Sequence, residues 1–257
     1  MNCNFDDDVS LVITSCRRHD LLSKTLQSFV ENNTYKIKQI IIVEDSSIEI
    51  DRGVLTDILN SSITINYTSC ELVCLSNGEN LGQMKSIDIA YEKVTSPFIF
   101  HCEDDWMFHR SGFIEESLRI LKQDKKIFTV WLRGYNDLCG HSISKPIELD
   151  NGLTYHEIIP MGLWSGFTLN PGLRRKQDCL LLSPYALQKH VDVKLKNRNT
   201  VTESDLSILY GNLGFKAAVT SEVRGFVHHI GDGYHIANVW ESVIIVKIKN
   251  LIKRMLK

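Results

Sequence analysis

Pro97-Phe98-Ile99-Phe100-His101-Cys102-Glu103-Asp104-Asp105-Trp106 is the stretch whose reading decides the fold. Its apolar first half has the length and character of a buried strand, and three acids follow at once where that strand ends. In an α/β sheet such an ending delivers polar residues to the mouth of the sheet, where ligands bind. Carboxylates gathered there repel one another. A hard cation such as Mg2+ or Mn2+, arriving with nucleotide phosphates, relieves that repulsion because such ions take oxygen ligands. The plain alternative is a solvated acidic turn, the usual fate of a short acidic run.

The flanking pattern favours the sheet. Val9 to Thr14 reads as a buried strand, and Leu21, Leu22, Thr25, Leu26, Phe29 and Val30 follow at helical spacing behind Asp20 as N-cap. Ile40 to Val43 is a second strand, ending in Glu44-Asp45-Ser46-Ser47, and Asp51 to Asn60 a second helix. Ile63 to Thr68 is β-branched and alternating, and Leu81 to Val94 is a helix with Met84, Ile87, Tyr91 and Val94 on one face. Such alternation predicts a mostly parallel sheet with helices on both faces. Thr14-Ser15, Glu44-Asp45 and Glu103 to Asp105 then converge on one crevice at the carboxyl ends of the strands.

Downstream the pattern predicts a helix near Ser111 to Gln123 and a strand over Ile127 to Arg133. The stretch from Gly134 to Lys176, rich in Gly, Pro, Asn and aromatics, has the character of a substrate loop. Helices are expected near Pro184 to Val191 and Glu203 to Leu213, short strands at Lys216 to Thr220 and Gly225 to Ile230, and a last helix at the C-terminus. No repeat or low-complexity linker divides the chain, so one domain of two lobes is expected.

With 257 residues, 43% hydrophobic and 23% charged, the chain has the composition of a soluble globular protein. Its net charge of -2 carries no nucleic-acid footprint. Seven cysteines, an odd number without zinc-ribbon spacing, fit reduced thiols. The acidic start, Met1 to Asp8, precedes an apolar run too short for a signal or a membrane span. A cytoplasmic protein is expected.

In order along the chain stand Val12-Ile13-Thr14-Ser15, Val43-Glu44-Asp45-Ser46-Ser47, Asn80-Leu81-Gly82, Glu103-Asp104-Asp105, Glu203-Ser204-Asp205-Leu206 and His229-Ile230-Gly231. This ordered set resembles the glycosyltransferases of the GT-A fold, and family 2 in particular. The resemblance implies a Rossmann-like, mostly parallel central sheet with an acceptor-side lobe. A nucleotide-sugar-binding half would span about 1-106, an acceptor and catalytic half about 107-235, and a basic amphipathic helix about 236-257. It also implies a nucleotide-sugar donor and transfer of its sugar to a hydroxyl with inversion.

Carried over residue by residue, the resemblance nominates Thr14, Ser15, Arg17, Glu44 and Asp45 for the base and ribose, with Asn80, Gly82 and Lys85 beside the nucleotide. An ordinary turn and helix start explains Asn80 and Gly82 equally well. The family's metal motif is Asp-x-Asp, and here Glu103 replaces the first acid. Asp105 is then the direct ligand of Mn2+ or Mg2+, and Glu103 or Asp104 meets ribose or a metal-bound water. His229 is the histidine that the resemblance sets against the metal or diphosphate, although a histidine on such a strand is often structural. At the start of the helix near residue 203, Glu203 takes the place of the base that deprotonates the acceptor, and Asp205 supports it or replaces it. A capping acid without a catalytic role also suits that position. Trp164, Phe167 and Arg174 are candidates for acceptor contacts, since aromatic faces pack on sugars and the Arg174-Arg175-Lys176 trio suits phosphate. Core packing and a solvated turn account for them as well.

From Val239 to Lys257, Lys247, Lys249, Lys253, Arg254 and Lys257 face the single acid Glu241 across an apolar background. Such a helix lies on an anionic membrane surface, packs on the domain or pairs with a second subunit as a homodimer. The sequence thus predicts a metal-dependent, inverting glycosyltransferase acting on a glycan or lipid-linked acceptor in polysaccharide biosynthesis. The alternatives are a nucleotidyltransferase, disfavoured by the lack of a Gly-rich first loop with a basic residue, and a silent sugar-nucleotide or glycan-binding module.

Overall fold

Strand β1 (Val9–Ser15) is buried along its whole length, as a parallel strand covered on both faces must be. Its alternate residues serve two cores: Leu11 and Ile13 join one apolar cluster and Val12 the other. The same split recurs in β2 (Ile37–Glu44), with Ile40 and Ile42 on one face and Ile41 and Val43 on the other, and in β4 (Phe98–Glu103), with Phe100 opposed to Ile99. Helix α1 (His19–Asn32) covers the first face through Leu22, Leu26 and Phe29, and α3 (Gln83–Lys93) covers the second through Met84, Ile87 and Tyr91. The computed structural model describes residues 7–61, 67, 70–191 and 200–232.

The main sheet has the order β3-β2-β1-β4-β9, in which β3 (Glu71–Ser76) through β4 are parallel and β9 (Gly172–Arg175) is antiparallel. Register aligns Ser15 with Glu44 and Glu44 with Ser76, and sets Thr14 opposite Glu103. One row of polar strand ends results. Helix α2 (Arg52–Ser61) connects β2 towards β3, its first turn held by Asp51, whose carboxylate accepts the N–H groups of Gly53 and Val54. The third strand lies downstream of the expected Ile63 to Thr68 run, of which only Tyr67 is described.

After β4 the chain turns through the acids into β5 (Trp106–Phe108), then α4 (Phe113–Gln123) and β6 (Ile127–Trp131). A second sheet, ordered β6-β10-β8-β7, is built from β6, β7 (Ile147–Glu148), β8 (Thr154–Glu157) and β10 (Lys216–Thr220). The expected substrate loop therefore contains three short strands. A short α5 (Lys176–Leu180) follows β9. The helix expected over Pro184 to Val191 is only a turn of 3-10 helix at Tyr185–Leu187. There the N–H groups of Tyr185 and Ala186 donate to Asp88, and that of Val191 to Asp205, so the backbone is held by side chains instead of a helical ladder. Helix α6 (Glu203–Asn212) and β11 (Val227–His229) complete the described chain. Among the described residues no helix is long and apolar enough to cross a membrane. The basic segment from Val239 lies outside them.

Candidate functional site

The loop after β1 is fastened to β2. Arg17 adopts a positive φ of 56° and its N–H donates to Glu44 Oε1 at 2.8 Å, with Ser46 Oγ donating to the same oxygen at 2.6 Å. Glu44 is fully buried, and its other oxygen lies 3.3 Å from His19 Nε2. The Arg17 side chain is exposed, Thr14 and Ser15 are buried at the strand end, and Ser15 lies beside Asp104.

Asp45 is occupied by the chain itself. Its Oδ1 accepts from the Leu81 N–H at 2.7 Å and from Asn77, and its Oδ2 from the Gly82 N–H at 2.9 Å. The Asn80-Leu81-Gly82 turn is thereby pinned to the end of β2, with Gly82 at φ 88° leading into α3. Asn80 donates to the Asp45 carbonyl, and Lys85 is exposed on the first turn of α3.

The acids after β4 meet a cation that sequence reasoning passed over. Arg18, not Arg17, reaches them: Nη1 donates to Asp105 Oδ2 at 2.7 Å, Nε to Asp104 Oδ2 at 3.2 Å, and Nη2 closes on Asp104 Oδ1. Arg18 also stands where Asp20 was expected to act, immediately before α1, which starts without a side-chain cap. Antiparallel pairing of β5 with β11 sets His229 opposite Trp106, and His229 Nε2 lies 3.2 Å from Asp105 Oδ2. Gly231 packs directly on the Asp105 carboxylate, leaving no room for a Cβ.

Burial alone would raise all three acids. Asp105 is nonetheless held below the usual carboxylate range, because the His229 hydrogen bond and the Arg18 charge outweigh its burial. Burial pushes Asp104 up to about 6 against the opposing Arg18 charge. Burial, reinforced by the charges of Asp105, Glu203 and Asp104, pushes Glu103 up to about 8, and Glu103 accepts a hydrogen bond from Gln83 at 2.7 Å.

Among the described residues no three His, Cys, Asp or Glu side chains form a metal cage. Asp105 and His229 nonetheless fit a divalent ion. Asp105 Oδ1 is buried and has no hydrogen-bond partner among the described residues, and a carboxylate with an imidazole suits Mn2+ or Mg2+ whose remaining positions go to phosphate and water. Glu103, turned towards Gln83, is the weaker of the candidate ligands.

At the start of α6 the two candidate bases differ in their hydrogen-bond partners. Asp205 is fully buried and closes a capping box with Thr202, accepting its N–H and its hydroxyl at 2.8 Å each. The same carboxylate accepts the Val191 N–H and lies 2.7 Å from His190 Nδ1. Glu203 instead receives the Leu169 N–H at 2.7 Å and the Thr168 hydroxyl at 3.3 Å, both on Oε2, while Oε1 has no hydrogen bond among the described residues. Burial raises its pKa against those two bonds and the charges of Arg174 and Arg133.

Two acceptor candidates lie in the interior. Phe167 is buried between Phe128 and Tyr210, and Arg174 is fully buried beneath it, its Nη1 donating to Tyr91 and its Nη2 to the Thr168 carbonyl. Arg175 is also internal, donating to the Leu121 carbonyl at 2.5 Å and to Asp178, so the basic trio does not present itself to a phosphate. Antiparallel pairing of β9 with β4 places Arg174 opposite Ile99 and Arg175 opposite Phe98. Trp164 is half-buried, stacked on His141 at 4.2 Å and edge-on to Trp131. Arg133, missed in the sequence although it ends an expected strand, lies over the Trp106 ring at 5.0 Å and contributes positive charge at Glu203.

The model of the family described as "Glycosyl transferase family 2" matches residues 10–167. No curated protein matches the chain in sequence. Among solved structures, residues 1–349 of S. aureus TarS are 12% identical over 88% of this chain and 61% of that one, with TM-score 0.55. The mannosyltransferase PcManGT from Pyrobaculum calidifontis, in complex with GDP-Man and Mn2+, is 12% identical over 84% of this chain and 55% of that one, with TM-score 0.56. The same TarS fragment in complex with UDP is 14% identical, over 86% and 59%, with TM-score 0.52. These likenesses show a common fold, and the chain spans 61% or less of the length of each of these structures.

Proposed function

The chain belongs to glycosyl transferase family 2, and from that premise we propose that it moves one sugar, with inversion, from a nucleotide-sugar donor to a hydroxyl of a glycan or lipid-linked oligosaccharide. The observation that carries the mechanism is Glu203, half-buried and fixed through Oε2, with no hydrogen bond on Oε1 among the described residues, beside an acid cluster suited to a diphosphate-bound cation. An inverting transfer needs a base for the acceptor hydroxyl on the face opposite the departing nucleotide. Glu203 takes that proton as the acceptor oxygen attacks the anomeric carbon and the bond to the phosphate oxygen breaks. Its raised pKa suits the task, because a base works best when its pKa approaches the ambient pH.

Glu44 and Asp45 hold the two loops that flank the nucleotide, Glu44 through Arg17 and Asp45 through the Leu81 and Gly82 N–H groups. Asp105 and His229 would hold a divalent ion, which supplies charge stabilisation for the leaving diphosphate when bound. A mannosyltransferase of this fold with GDP-Man and Mn2+, and another structure with UDP, support a nucleotide donor and a metal. Trp164 is the remaining aromatic candidate for the acceptor, and the basic segment from Val239 supports contact with an anionic membrane surface.

The test is a thermal-shift panel of UDP- and GDP-sugars with and without Mn2+, followed by NMR of the product anomer. Metal-dependent stabilisation by one donor and an inverted product are expected. A retained anomeric configuration would refute the role given to Glu203.

A further inference from the structure

Asp105 Oδ2 already has two partners, Arg18 Nη1 at 2.7 Å and His229 Nε2 at 3.2 Å. The rest of the Arg18 fork is spent on Asp104, which is fully buried, while the Arg18 side chain retains 19% exposure. One guanidinium therefore offsets the Glu103, Asp104 and Asp105 cluster where a divalent ion would bind. A guanidinium and a divalent ion on the same carboxylate are like charges a few ångströms apart, and in a partly buried site that repulsion weakens binding by well over tenfold. A nucleoside diphosphate changes the balance. Its oxygens match the planar guanidinium fork and can draw it from the carboxylates.

We propose that Arg18 is the resident counter-ion of Asp104 and Asp105, which keeps free divalent metal weakly bound and moves to the diphosphate when donor and metal enter together. The proposal rests on the donor-site reading above. It makes metal and nucleotide binding mutually reinforcing, since each favours the state in which Arg18 has left the acids. If Arg18 were instead a brace that holds Asp105 ready for metal, its loss would weaken metal binding, so the two roles predict opposite signs.

The experiment is a Mn2+ titration followed by electron paramagnetic resonance on the full chain without nucleotide. Arg18→Met and Arg18→Gln are expected to bind Mn2+ about tenfold or more tighter than the parent, and Arg18→Lys, which keeps the charge, as weakly as the parent. Adding Asp105→Asn to Arg18→Met should abolish the gain. In EDTA, affinity for UDP or GDP should fall about tenfold in Arg18→Met. Unchanged or weaker Mn2+ binding in both neutral variants would overturn the counter-ion role. Failure of the parent to bind UDP or GDP under any condition would remove the donor-site reading and the handover, while the Mn2+ comparison would still decide between counter-ion and brace.

Discussion

The backbone N–H of Leu169 donates a 2.7 Å hydrogen bond to Glu203 Oε2, tying the loop before β9 to the first turn of α6. With the Thr168 hydroxyl on the same oxygen, it fixes the carboxylate through Oε2, while Oε1 has no hydrogen bond among the described residues. Glu203→Gln keeps the shape and loses the basicity. Transfer should fall by about a thousandfold while nucleotide affinity stays within about twofold of the parent, measured by product formation and calorimetry.

Asp205 behaves differently. Its carboxylate closes the α6 capping box and also holds the backbone at Val191. Asp205→Ala should cost about 3 kcal/mol of stability, roughly 5 to 10 °C in Tm, because buried donors lose their acceptor. Well below that Tm, turnover should stay within about tenfold of the parent. A thousandfold loss of turnover in a stably folded Asp205→Asn variant would return the base assignment to Asp205.

Rate against pH carries the sign of the Glu203 shift. Its pKa is raised by burial, so the deprotonated base accumulates only above the ordinary glutamate value of 4.5, and the acidic limb of kcat should lie above that pH. The Leu169 and Thr168 hydrogen bonds and the Arg174 charge oppose the rise, and Arg174 also donates to the Thr168 carbonyl at 2.5 Å. Arg174→Met should move the limb to higher pH and lower kcat by about tenfold, with donor KM changed less.

Glu103 gives a stability prediction of definite sign. Its folded-state pKa of about 8 lies above the unfolded value, so the native state binds the extra proton between those limits and stability falls as pH rises through them. In metal-free buffer Glu103→Gln should therefore raise Tm by a few degrees at about pH 8, with the difference vanishing near pH 4. Equal Tm differences at both pH values would contradict this.

Much of this arrangement was legible from local pattern. The apolar runs at β1, β2 and β4 are continuous because both faces are buried, and their polar endings fall in one row at the carboxyl ends of the strands. What local pattern could not supply was long-range competition for the same groups. The resemblance sets Asp45 against the base or ribose of the nucleotide, yet the Leu81 and Gly82 N–H groups donate to its carboxylate. Arg174 reads as exposed, yet antiparallel pairing with β4 turns it inward to Tyr91. Arg18 and Arg17 are adjacent and chemically alike, and only the positive φ at Arg17 and the start of α1 decide which one meets the acids.

The most direct test of the central claim is release of free nucleotide from a panel of UDP- and GDP-sugars with Mn2+, run side by side on the parent and Glu203→Gln with an acceptor glycan mixture. The account predicts one productive donor, acceptor-stimulated release that requires the metal, and loss of that stimulation in Glu203→Gln with nucleotide binding preserved. Acceptor-stimulated release of equal rate in Glu203→Gln, or no release and no binding of any nucleotide sugar by the folded parent, would contradict it.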